Sequence, residues 1–150
     1  FLESFRGTLF RQTMFAEFEK IVHERAAAGE SLTAGALCQI YHKLNADYFG
    51  PEIAVDSQID YEWERIPHFY TPFYVYQYAT GFSAAVAISS RILKGEPGAL
   101  EGYKNFLKGG CSAKPVDLLK RAGVDMERPE PVEEALRLFE ELLEEFASCL

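Results

Sequence analysis

Val132, Leu136, Phe139, Leu143 and Phe146 recur at alternating steps of four and three, with glutamates between them. Only a helix gathers such residues on one face, since 3.6 residues complete a turn. The glutamates then form the solvated side. Proline and glycine mark further helices upstream. One long helix is predicted over residues 1–28, with Leu2, Phe5, Leu9, Phe10, Met14, Phe15, Phe18, Ile21 and Val22 on more than one face and Gly29 as its stop. A second begins at a Ser31 or Thr33 cap and reaches about Tyr48, where FGPE breaks it. A third runs from about Pro72 to Leu93, capped near Thr71, and a fourth lies between Pro97 and Lys108. A short fifth stops at Gly123, and the sixth is entered through Pro131. Residues 51–71 read as mostly irregular, with one short helical turn near Tyr61–Arg65. EIAVDSQIDYEW is the one stretch left open to a strand. The expected fold class is all-α, about six helices in one unit, 1–150.

Charge excludes some partners. Nine acidic residues and two arginines lie between Asp125 and Leu150, so this terminal helix carries most of the net charge of −8. No basic stripe exists to neutralise phosphates, so nucleic acid is not an expected partner. No long uncharged apolar run points to a membrane. Cys38, Cys111 and Cys149 are odd in number and lack metal-type spacing, so reduced thiols in a cytoplasmic protein are expected. Residue 1 is Phe and the pattern there already reads as mid-helix, which suggests a piece of a longer chain.

The chemistry-bearing residues concentrate in IPHFYTPFYVYQYATGF, residues 66–82, with seven aromatics after the histidine. His68 sits between prolines, ahead of Tyr70, Tyr74, Tyr76 and Tyr78. Phenolic O–H and imidazole N–H groups can donate to a carbonyl oxygen as it gains charge. Tyrosine also grips peptide backbone with an apolar body and a polar tip. On a helix, Tyr74 and Tyr78 share a face, while Tyr76 points about 160° away from Tyr78. The hydroxyls therefore cannot all serve one pocket. Composition leaves two readings equally open: a structural tyrosine cluster or a ligand wall. Two other patterns are weaker. His23-Glu24 begins like HExxH but lacks the second histidine, and Cys38 with His42 supplies two ligands at helical spacing, too few for a zinc site.

FRGTLFRQTMFAEFE (5–19) and RIPHFYTPFYVYQYATGFSAA (65–85) resemble the C-terminal part of oligoendopeptidase F, of the thimet-oligopeptidase-like zinc metallopeptidases. The likeness extends through EPGALEGYKNFLKGGCSAKPVDLLKRAGVDM and covers essentially the whole chain. The resemblance implies a mostly helical fold around a deep channel. It also implies cytoplasmic cleavage of short peptides by a zinc-activated water. The family's zinc ligands, two histidines of HExxH and a later glutamate, are not in this chain and would lie upstream of Phe1. The resemblance thus implies zinc in the intact parent, none bound here, and an isolated chain that is inactive without the N-terminal part of the same polypeptide. By position in PHFY, His68 matches the histidine that holds substrate near the zinc. By position in FYVYQY, Tyr76 matches a tyrosine that stabilises the oxyanion. Tyr70 and Tyr74 match further substrate-binding donors. The competing expectation is a non-catalytic helical module that binds a peptide or a partner helix in an aromatic groove.

Overall fold

Gly29 ends the first helical run as its sequence position predicts. Its φ is +78°, and the amides of Gly29 and Glu30 bond back to the carbonyls of Ala26 and Arg25, a Schellman ending. In the computed structural model, which describes residues 1–150, every regular element is helical and no strand forms. The all-α expectation holds, and EIAVDSQIDYEW is not a strand. The α-helices are α1 (Leu2–Ser4), α2 (Arg11–Ala27), α3 (Ala34–Phe49), α4 (Tyr76–Leu93), α5 (Ala99–Gly109), α6 (Pro115–Arg121) and α7 (Glu130–Ser148). Phe5–Phe10 is a π-helical segment between α1 and α2. There Thr13 Oγ1 donates to the Leu9 carbonyl at 2.7 Å, competing with the regular backbone ladder. None of the helices is long and apolar enough to cross a membrane.

The chain divides into two compact units, residues 6–79 and residues 1–5 with 80–150. In the first, Met14, Phe15 and Phe18 of α2 pack with Ile40, Tyr41 and Leu44 of α3, and with Ile66 and Val75. Thr33 is the cap of α3, its Oγ1 accepting from the Ala36 amide at 3.2 Å. Two sequence expectations need correction here. Residues 57–65 are not irregular apart from one turn near Tyr61–Arg65: Ser57–Arg65 is a nine-residue 3₁₀ helix, and Pro67–Tyr70 is a second. Asp56 caps the first, accepting from the Gln58 amide at 2.9 Å. The 3₁₀ helix carries Glu62 into the interior, where Arg11 and Arg65 each reach Oε1 at 2.5 Å and the Tyr41 hydroxyl donates to Oε2 at 2.7 Å. Secondly, the third predicted helix starts at Tyr76, not Pro72. Pro72 and Phe73 form a turn instead, and Phe73 has φ +60°, which no helix accommodates.

In the second unit, Ala84, Ala87 and Ile88 of α4 pack against Ala122 and Val124. The small residues of α4 thus permit the close helix approach expected from them. Gly123 combines a φ of +79° with contact so tight that a Cβ would lie 1.7 Å from Arg91 Nη1. That guanidinium nitrogen donates to the Ala122 carbonyl at 3.0 Å, tying α4 to the end of α6. Phe5 sits edge-on to Phe82 at 4.9 Å and 5.4 Å from Phe139 of α7. The apolar stripe of α7 is only partly covered, with Leu136, Leu143 and Phe146 exposed.

Candidate functional site

Three inward anchors present the 66–78 segment. Ile66 and Val75 are buried, and the Phe69 ring packs 5.6 Å from Phe15 and 5.3 Å from Phe18. The side chains between these anchors are consequently turned outward. Tyr70 is 78% exposed, Tyr74 38% and Tyr76 50%, so none of these three is interior packing. By contrast, Tyr41 and Tyr48 spend their hydroxyls on Glu62 and Glu17. Burial and the neighbouring carboxylate push both phenols well above their ordinary range.

His68, Tyr78 and Tyr74 form one cluster. The His68 and Tyr74 rings stack at 5.5 Å with an 8° interplanar angle, and Tyr78 stands edge-on to both, 5.5 Å from His68 and 5.4 Å from Tyr74. The Tyr78 hydroxyl lies 3.2 Å from His68 Nε2 and donates to the Tyr74 hydroxyl at 3.2 Å. A hydroxyl has one proton. Given to Tyr74, it leaves Tyr78 as acceptor for His68, which requires an Nε2–H on the imidazole. In that tautomer donation runs from His68 to Tyr78 to Tyr74, which leaves the Tyr74 proton for a further acceptor. The bond to Tyr74 raises the Tyr78 pKa. At 3.2 Å both contacts are long for hydrogen bonds to a hydroxyl oxygen.

Of the sequence-predicted residues, His68 and Tyr74 are thus brought into direct contact. Tyr70 stands apart, its hydroxyl donating to the Glu64 carbonyl at 3.3 Å. Tyr76 opens α4, two residues from Tyr78 and so about 160° around the helix. Tyr78, which links the cluster, is placed on one face with Tyr74 by its four-residue spacing, but the sequence assigns it no role.

The turn before α4 is held from α2. Glu19 is buried, and its Oε1 accepts from the Phe73 amide at 2.8 Å. One helical turn on, the His23 ring lies 4.8 Å from the Phe73 ring. His23 is therefore a packing partner of this turn. His42 pairs through Nδ1 with Asp60 at 2.7 Å, part of the α3 contact with the 3₁₀ helix. No three His, Cys, Asp or Glu side chains converge where a metal ion could be held, so these residues do not fit a metal centre on their own.

Residues 1–138 match the sequence profile of Peptidase family M3. Oligopeptidase PepF of Bacillus subtilis is 56% identical over 99% of this chain, and the chromosomal oligoendopeptidase F of Lactococcus lactis subsp. cremoris is 48% identical over 96%. The chain covers 22% and 24% of those proteins, about a quarter of their length. The crystal structure of oligoendopeptidase-F from Enterococcus faecium superposes with a TM-score of 0.96 at 50% identity, over 98% of this chain and 28% of that one. Likeness at this level carries the sequence and the fold together along almost the whole chain: it belongs to Peptidase family M3.

Proposed function

We propose that residues 1–150 are the C-terminal part of the catalytic domain of a cytoplasmic zinc oligoendopeptidase that hydrolyses short peptides. In this reading the chain supplies one wall of the active site. A zinc ion held by residues outside these 150 would supply the activated water. The outward-running His68–Tyr78–Tyr74 donor file is the observation that most supports the reading, because an exposed chain of N–H and O–H donors suits a peptide carbonyl gaining negative charge. His68 orients the substrate carbonyl through the file that it heads, and Tyr76 donates to the developing oxyanion. Tyr74 grips the peptide backbone through a hydroxyl donor on an apolar ring, and Tyr70 does so by exchanging its 3.3 Å bond to the Glu64 carbonyl for one to the peptide. The isolated chain, lacking the metal ligands, is inactive.

In the full-length peptidase that contains this chain, Tyr76→Phe lowers kcat by roughly ten- to a thousandfold, the range for losing one such donor, with a smaller change in KM. Wild-type turnover in that variant removes Tyr76 from this role. A metal-independent peptide-binding module instead requires the 150-residue chain alone to bind short peptides, which titration calorimetry measures.

A further inference from the structure

We propose that Glu19 is a positioning residue, which sets the turn that carries Tyr74 and Tyr76 by holding Phe73 in a left-handed conformation. The inference rests on the reading of residues 68–78 as a peptide site. Phe73 is the only non-glycine residue with positive φ, at +60°. A bulky side chain rarely adopts that region, and such strain persists where surrounding structure imposes it. Here the imposing group is visible. The Glu19 carboxylate is 6% exposed and receives the Phe73 amide at 2.8 Å across 54 residues of sequence. A carboxylate is costly to bury without a hydrogen-bond partner, and the amide of the strained residue provides one. His23, on the same face of α2, sets its ring 4.8 Å from the Phe73 ring.

The geometry explains why α4 begins at Tyr76. With Phe73 left-handed, the chain cannot continue as a helix from Pro72, and Val75 turns inward to full burial. Tyr74 is then delivered beside His68 and Tyr78, with Tyr76 on the opposite side of the first helical turn. Without the Glu19 acceptor, Phe73 relaxes toward negative φ and the peptide planes on either side of it rotate. Tyr74 and Tyr76 then lose their set directions while keeping their chemistry.

The test combines amide exchange with peptide hydrolysis, both in the full-length peptidase that contains this chain. Glu19→Ala should speed hydrogen exchange at the Phe73 amide. It should also lower kcat by up to about a hundredfold, the scale of a 1 Å misplacement, with KM changed less. Glu19→Gln, whose amide oxygen accepts the same bond, should stay near wild type. Adding Phe73→Gly to Glu19→Ala should restore much of the rate, because glycine adopts positive φ freely. Where Glu19→Ala does not fold, Phe73→Gly is compared with the double variant, and equal kcat is expected. A lower kcat in the double variant overturns the proposal. So does unchanged Phe73 exchange in Glu19→Ala, whatever the site does. If exchange quickens and kcat stays constant while Tyr78→Phe slows turnover, Glu19 is not a positioning residue. If neither Glu19→Ala nor Tyr78→Phe alters turnover, the reading of the site itself fails, and the positioning role with it.

Discussion

Residues 6–79 bury two carboxylates, Glu19 and Glu62, whereas the unit of residues 1–5 and 80–150 buries no charged side chain. The second unit is assembled from alanines, valine, isoleucine, a Phe5–Phe82–Phe139 ring group and close backbone approach, with no buried charge among them, and its ion pairs, such as Lys94–Glu134 at 3.6 Å, lie at the surface. The first carries aromatic residues with polar anchors among them. Buried carboxylates cost solvation and are tolerated only when fully engaged. What they confer is direction: an apolar core fixes how much is packed, while a hydrogen bond fixes where a backbone amide points. The difference matches the contents of the two units, since all four expected site residues lie in 6–79.

Removing Glu62 should break this contrast most severely. Glu62→Ala leaves Arg11, Arg65 and Tyr41 without their shared acceptor, and a loss of about 3–5 kcal/mol is expected, as for other broken buried pairs. Hydrogen exchange by residue checks it: protection should fall at amides of 6–79 first and persist longer in α5–α7. Tyr41→Phe should cost less, about 1.5–3 kcal/mol in chemical denaturation, for one hydrogen bond to a charged group.

The same tyrosine sharpens the comparison through pH. Burial and Glu62 raise the Tyr41 pKa in the folded state. Above the ordinary phenol value of about 10, the unfolded chain therefore binds fewer protons than the native one. The contribution of Tyr41 is complete below that pH and is lost as pH rises beyond it. Stability should fall above about pH 10, and the slope should flatten in Tyr41→Phe. In the other unit, Gly123→Ala should cost about 2 kcal/mol in thermal unfolding, because alanine is strained at φ +79° and displaces Arg91 from the Ala122 carbonyl. Tyr70→Phe should be the mildest change, within about 0.5 kcal/mol in stability, since it removes one exposed hydrogen bond. In the proposed reading, its effect on the full-length peptidase falls on KM.

Helix ends were legible in the sequence wherever their chemistry is local. Gly29 and Thr33 act through groups within a few residues, Gly123 ends α6 by the local bond of its amide to the Lys120 carbonyl, and each stands where its residue type predicts, although the contact of Gly123 with Arg91 is not local. The start of α4 was not legible. Pro72 favours a helix's first turn, but the acceptor that overrides it is Glu19, 54 residues away. Likewise the 3₁₀ helix at Ser57–Arg65 delivers Glu62 to Arg11 and Tyr41, partners no nearby residue announces. One sign was present. Glu19 lies between Phe15, Phe18 and Val22 on the apolar side of α2, where a charge needs a buried partner. At the site, the four-residue spacing foretold the meeting of Tyr74 and Tyr78. The stacking of His68 on Tyr74 was not foreseeable, because it depends on a left-handed turn at phenylalanine that no propensity favours.

The central claim is that the donor file through Tyr78 serves peptide hydrolysis. The most direct measurement is kcat for a short peptide in the Tyr78→Phe variant of the full-length peptidase. That variant keeps the ring and removes both hydroxyl contacts. The account predicts a fall of roughly ten- to a thousandfold at near-native thermal stability. A folded Tyr78→Phe enzyme with wild-type kcat would contradict it.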